Sequence, residues 1–362
     1  MAHSFSKKER EMFKTSPVFP WFDPYMALMS DMVPFQLLMD ITNICSYNCP
    51  HCYKSTGNSR MPLADFKTIV GDAVNSPRVK GAIGITGGEP TALYTHYHTH
   101  DLKDMIQFGL DQKYDVLLKT NASWTQAQYA DIIWRDLESL NFGDKTFVLD
   151  LSVDIYHKNV VKTSTDILQH VCMSPKLKDN TVVELISVGN DGHNIDAILA
   201  PDNLGKFGLT VQDKRFKTRS VRGTCKPKSY AECKINDTRV NLIYQGIIVQ
   251  VENALKNNIG VIDDMDPLTL ISVYRIVLWY DPLGNVHIGN KHKPFFTVPY
   301  RHANGSIKTL DQVKNDLGEL VFNECKKRLA ESIPHPTIKK FCDHVQRSEF
   351  DYFVPLYKFN TR

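Results

Sequence analysis

Three cysteines stand within eight residues, Cys45, Cys49 and Cys52, in the spacing C-x3-C-x2-C. They follow an apolar run, Phe35-Gln36-Leu37-Leu38-Met39-Asp40-Ile41, that reads as a buried strand. Thiolates this close along a chain face one point only if the chain loops around it, so the spacing describes a nest for a metal centre. A cluster of four irons normally takes four cysteine ligands, and only three are local here. An iron left with an open position can bind a substrate or cofactor, by the logic that separates catalytic from structural zinc sites. The alternative is a structural zinc knuckle completed by His51 or a distant cysteine. Zinc ribbons show paired C-x2-C knuckles, and the 8 cysteines of the 362 residues include no second pair.

Other residues with chemical potential sit at the ends of strand-like runs. Gly87-Gly88-Glu89-Pro90 follows Gly81-Ala82-Ile83-Gly84-Ile85-Thr86. Glycines let a backbone approach a ligand closely, and exposed carbonyls there can accept from an ammonium group; taken alone, the motif is a strand-ending turn. Thr120 and Asn121 end a third run, and Ser152 and Asp154 end a fourth, in Leu151-Ser152-Val153-Asp154-Ile155-Tyr156-His157. Short hydroxyls and carboxylates suit a ribose, but they also serve strand ends satisfied by water or by helix caps. Tyr156 and His157 lie where they could touch a substrate.

The elements that must position these residues alternate between two periods. Helical spacing covers residues 62–70, 102–110, 125–140 and 164–171, with another helix from Asn194. Near-continuous apolar strands fall at 35–41, 81–86, 115–119, 146–152 and 181–187, and a sixth is expected within Leu209 to Arg219. Such alternation indicates an α/β fold, a parallel sheet with helices outside. Five clear repeats and one weak one fit a barrel left open at one side, although periodicity alone also permits eight units or a doubly wound sheet.

The segment Cys45, Cys49-Pro50-His51-Cys52, Tyr53 resembles the signature of the radical S-adenosylmethionine (SAM) superfamily in its C-x3-C-P-x-C-Y form. The resemblance covers roughly residues 35 to 220 and implies a partial (β/α)6 barrel of the TIM type. It further implies a 4Fe-4S cluster on Cys45, Cys49 and Cys52, and SAM chelating the fourth iron. Electron transfer into the sulfonium would release a 5′-deoxyadenosyl radical that abstracts hydrogen from substrate. Gly87, Gly88 and Glu89 then take the role of holding the amino group of SAM, and Ser152, Asp154, Thr120 and Asn121 are further cofactor contacts. A reducing partner such as flavodoxin or ferredoxin is also implied.

Beyond Cys225 the alternation stops. Residues 275–280, Asp281-Pro282-Leu283-Gly284-Asn285 and Val286-His287-Ile288 read as strand, turn and strand, followed by a helix over Leu310 to Ala330. This resembles the SPASM/Twitch-type extensions of radical SAM enzymes, except that Ile288-Gly289-Asn290 stands where those usually place a cysteine. The expected organisation is a lead-in at 1–34, the barrel at 35–220 and a smaller α+β extension at 221–362. The extension points to a peptide or protein side chain as substrate, with a small metabolite as the alternative. Cys225, Cys233, Cys325 and Cys342 can supply a second cluster or be buried small hydrophobes. Cys225 alone can give a hydrogen atom to a substrate radical, and Cys172 falls on the apolar pattern of a helix.

Composition narrows the classes. With 42% hydrophobic and 23% charged residues, the chain is of ordinary globular type. A net charge of +3 without a polybasic run gives no sign of nucleic acid. The polar start MAHSFSKKEREMFK has no apolar core, so neither secretion nor membrane insertion is expected and the cytoplasm is the expected location. A non-catalytic iron-sulfur or zinc protein is the remaining class.

Overall fold

The computed structural model describes residues 19–31, 33–50, 52, 57–126, 128–157, 159–188, 193–219, 228–245, 276–290, 293–333, 339, 342–343 and 345–351. After a short helix α1 (Asp23–Met29), strands and helices alternate as the sequence pattern requires. They are β1 (Phe35–Asp40), α2 (Leu63–Ala73), β2 (Ala82–Thr86), α3 (Asp101–Asp111), β3 (Asp115–Thr120), α4 (Ala130–Ser139), β4 (Phe147–Ser152), α5 (Val160–Met173), β5 (Thr181–Val188) and α6 (His193–Leu199). There follow β6 (Val211–Arg219), β7 (Lys228–Ile235), β8 (Thr238–Gln245), β9 (Ile276–Tyr280), β10 (Asn285–Asn290), β11 (Lys293–Pro299) and the long helix α7 (Leu310–Ser332). The helix expected over 125–140 is split, since Ser123–Gln126 is a 3-10 turn and the α-helix begins at Ala130.

The eleven strands among the described residues form one sheet, ordered β11-β10-β9-β1-β2-β3-β4-β5-β8-β7-β6. From β9 to β8 every neighbouring pair is parallel. The order rises steadily from β1 to β5, with no reversal among them of the kind that marks a doubly wound sheet. Period-2 alternation sends Phe35, Leu37 and Met39 of β1, and Val116 and Leu118 of β3, into the helix-covered core, each at most 1% exposed. The residues between them, among them Gln36, Leu38, Leu117 and Lys119, are only half-buried and line the other, inner face.

The sixth parallel position is not where the sequence placed it. Val211–Arg219 does form a strand, β6, but it pairs antiparallel with β7 at the edge of the sheet, and β8 lies beside β5. The chemistry explains the exchange. Gln212, Asp213, Lys214 and Arg215 are exposed, which suits an edge, whereas Val240 and Leu242 of β8 are fully buried. A two-residue turn, Asn236-Asp237 with φ of 45° and 70°, closes the β7–β8 hairpin. On the other side, β9 adds in parallel to β1 and carries the β10–β11 hairpin with it. The sheet therefore runs through the boundary expected at residue 220.

The described part of the lead-in is held by packing and by one buried cation. Helix α1 packs against α7, with Phe22 and Tyr25 against the Phe322 ring at 5.1 and 5.2 Å. Arg78, 3% exposed, donates to the carbonyls of Leu28 (2.7 Å) and Val33 (3.0 and 3.1 Å), capping the end of α1. Its guanidinium lies 3.7 Å from the Phe35 ring centre. Burial lowers its pKa to about 10.

Candidate active site

The C-terminal ends of β1 to β4 meet at a cavity of about 110 Å³. Cys45, Cys49 and Cys52 line it together with Gly87, Gly88, Thr120, Asn121, Ser152 and His157, so nine residues singled out by the sequence are brought to one place. Thr86, Lys119 and Tyr47 complete the wall. A ligand site at this end of the strands is what parallel α/β sheets commonly build.

The Cys loop and the Gly-Gly turn are fitted to one another. The N–H of Gly88 donates to the Thr42 carbonyl and that of Glu89 to the Ile44 carbonyl, both at 2.7 Å. A Cβ on Gly87 would lie 2.4 Å from Thr42 O, and one on Gly88 2.1 Å from Ile44 O. Gly87 also has φ of +141°. The glycines are thus required first by the close approach of two backbones. With two N–H groups used on the Cys loop, carbonyls are what the turn can offer a ligand.

Glu89 lies beneath the turn at 2% exposure, outside the lining of the cavity. Its Oε1 accepts from Thr91 N (3.2 Å), Thr91 Oγ1 (2.8 Å) and Thr120 Oγ1 (2.7 Å), and its Oε2 from Asn121 N (2.7 Å). Burial raises its pKa, against the pull of those four bonds. The carboxylate ties the end of β2 to that of β3, and Asn121 Nδ2 reaches on to Cys45 Sγ at 3.5 Å. Asp154 is likewise buried at 2% exposure and outside the lining; it accepts from Tyr156 N at 3.0 Å and pairs with His157 Nδ1 at 2.8 Å. Both carboxylates set other groups in place.

The cavity fits the cluster that the sequence resemblance implies. Burial raises the bare thiols to about 11 for Cys45 and about 12 for Cys49, each lifted further by a neighbouring cysteine of the trio. An adjoining metal cation reverses that situation. Among the described residues, no three His, Cys, Asp or Glu close around a point as one metal ion requires. A zinc ion needs sulfurs about 2.3 Å from a single centre, whereas a cluster takes each thiolate on a different iron. The three cysteines line one cavity, as the second arrangement needs.

The other sequence candidates separate. Cys225, His51 and Tyr53 lie outside the described residues. Cys233 sits on β7, near one edge of the sheet, while Cys325 is on α7, which packs against β11 at the other. Cys342 lies by Lys326 of α7. All three are buried, so the structure does not gather Cys233, Cys325 and Cys342 into a second cluster; they fill apolar space. Cys172, on α5, is buried as expected and faces the Ile235 carbonyl at 3.2 Å. Sequence reasoning missed Lys119, Thr86 and Tyr47. Lys119 carried a signal, since a charge inside an apolar strand run faces either solvent or a site.

No family model matches the sequence, and no curated protein matches it. Solved structures do. SuiB of Streptococcus suis bound to precursor peptide SuiA is 16% identical with a TM-score of 0.35, over 49% of this chain and 37% of that one. The anSMEcpe structure with bound AdoMet and Cp18Cys peptide is 16% identical with a TM-score of 0.32, over 48% and 49%. BtrN in complex with AdoMet and 2-DOIA is 16% identical with a TM-score of 0.29, over 41% and 55%. This chain therefore spans between 37% and 55% of the length of these three structures, to which it is similar.

Proposed function

We propose that this chain is a radical SAM enzyme. Cys45, Cys49 and Cys52 would hold a 4Fe-4S cluster. Bound there, such a cluster would supply one-electron reduction of the SAM sulfonium, the chemistry from which hydrogen abstraction from a substrate would follow. The chain's own residues bind and orient. The carbonyls of the Gly87-Gly88 turn suit the methionyl ammonium, and Asn121 and Ser152 supply polar groups for the rest of the cofactor. Glu89 holds the turn against β3, and Asp154 fixes the His157 ring on the cavity wall. The β1–β4 ends screen the reacting atoms from water.

The observation that carries this reading is one cavity lined by all three cysteines, both glycines and the ends of β3 and β4. The substrate best suited to the strand, turn, strand and helix of the C-terminal segment is a peptide or protein side chain, with a small molecule second. A flavodoxin- or ferredoxin-type partner would supply the electron. Among the described residues, no helix is long and apolar enough to cross a membrane.

Anaerobic reconstitution tests the reading. About four irons per chain are expected, with 5′-deoxyadenosine released from SAM under a strong reductant and lost in Cys49→Ala. Cleavage unchanged in that variant, or one zinc and no iron, overturns it.

A further inference from the structure

The inner face of the sheet carries a polar row that the Cys cavity uses only in part. Parallel pairing sets Lys119 opposite Asp150, Asp150 opposite Glu184 and Glu184 opposite Asn241. The four residues therefore stand on the same face of β3, β4, β5 and β8 at one level. Lys119 lines the Cys cavity, which identifies that face as the one open to ligands. Its Nζ lies 2.7 Å from Asp150 Oδ2, and Asn241 Nδ2 donates to Glu184 Oε1 at 2.8 Å.

The row is incomplete as it stands. Asp150 is 2% exposed, and among the described residues its Oδ1 has no hydrogen-bond partner. A carboxylate oxygen left unmatched at that depth is costly. Two carboxylates against one ammonium also leave a negative charge in the row. Burial raises the Glu184 pKa, and Asp150 adds to the shift against the Asn241 hydrogen bond and the Lys119 charge. Glu184 and Asn241, at the β5–β8 side of the row, are half-buried.

We propose that Asp150 and Glu184 form a subsite for the ammonium group of the substrate. Neighbouring strands lie about 4.8 Å apart, a gap that one ammonium bridges with two of its three N–H groups. Lys119 then holds the far oxygen of Asp150, and Asn241 holds Glu184. Ser152, two residues on from Asp150 along β4, places this subsite directly below the rim of the Cys cavity. The assignment rests on the proposed function only in taking the bound amine to be the substrate.

The test is saturation-transfer NMR on the full-length chain, anaerobically reconstituted, with butylammonium chloride as probe and butanol and butyrate as controls. Butylammonium alone should give transfer, with affinity falling about tenfold or more in Glu184→Gln and Asp150→Asn. Glu184→Lys should lose butylammonium and gain butyrate, which keeps the proposal testable should Asp150→Asn fail to fold. Binding should persist under saturating SAM. Displacement by SAM would give the row to the cofactor and overturn the proposal, as would equal binding of butylammonium by wild type and Glu184→Gln. Tighter binding of Nα-acetyl-lysine methylamide than of butylammonium assigns the ammonium to a peptide, and the reverse assigns it to a free amine. A chain that binds the amine without cleaving SAM refutes the proposed function and leaves the subsite; one that cleaves SAM and binds no amine does the opposite.

Discussion

Two sets of cysteines in this chain hold similarly raised thiols in different surroundings. Cys49 is pushed up to about 12 and so is Cys325; Cys45 and Cys233 both reach about 11. Burial is the largest cause in all four. What separates the sets is space. Cys45, Cys49 and Cys52 open on a cavity, and Cys45 Sγ receives the Tyr47 N–H and the Asn121 amide at 3.5 Å. Cys325 is fully buried on α7, and Cys233, 3% exposed, belongs to the same apolar core. A buried thiol is thus a ligand candidate only where the structure leaves room for a metal beside its sulfur.

The sharpest way to break this contrast is to exchange the two kinds of site. Cys49→Ala should abolish iron incorporation and SAM cleavage, while Cys325→Ala should leave iron content unchanged, both read by metal analysis after reconstitution. Iron lost equally from both would erase the distinction. Gly88→Ala comes next. A methyl group 2.1 Å from Ile44 O forces the turn away from the Cys loop. The expected result is a loss of bound iron together with about 1–3 kcal/mol of stability, measured by chemical denaturation. Cys325→Ser should lose about 1–3 kcal/mol, because it buries a hydroxyl in an apolar site, with full iron retained.

The same contrast marks how far the sequence could be read. The Cys trio, the Gly-Gly turn and five strands were legible because each is local: spacing, turn residues and alternation all act within a few positions. The sixth strand was not. Thr238 to Gln245 alternates while Val211 to Arg219 is largely polar, and which of them joins β5 depends on a hairpin turn at Asn236-Asp237 that carries no glycine to mark it. The role of Glu89 was hidden for a related reason. A motif shows that a carboxylate is present, but only the meeting of β2 and β3 shows it accepting from Thr91, Thr120 and Asn121 rather than facing the cavity. Lys119, Asp150, Glu184 and Asn241 form a row only through register, which no single strand encodes.

The smallest expected effect lies farthest from the cysteines, in the turn between β9 and β10, and it separates stability from chemistry. Asp281 accepts from Leu283 N and Asn285 N, both at 2.9 Å, and its Oδ2 meets His287 Nε2 at 2.8 Å. Burial raises its pKa, but the bonds from His287 and Asn285 outweigh that, and the net shift is downward. A depressed carboxyl contributes stability that is present above its unfolded value, about 3.9, and is lost as pH falls through the lower folded value. Asp281→Asn should therefore destabilise the chain by about 1–2 kcal/mol at pH 7, and the difference from wild type should shrink as thermal unfolding is followed down toward pH 3. Iron content at pH 7 should be untouched, because the turn contributes nothing to the cavity wall. A variant that lost iron without losing stability would mean that the Asp281 turn, and not the ends of β1 to β4 alone, shapes the site.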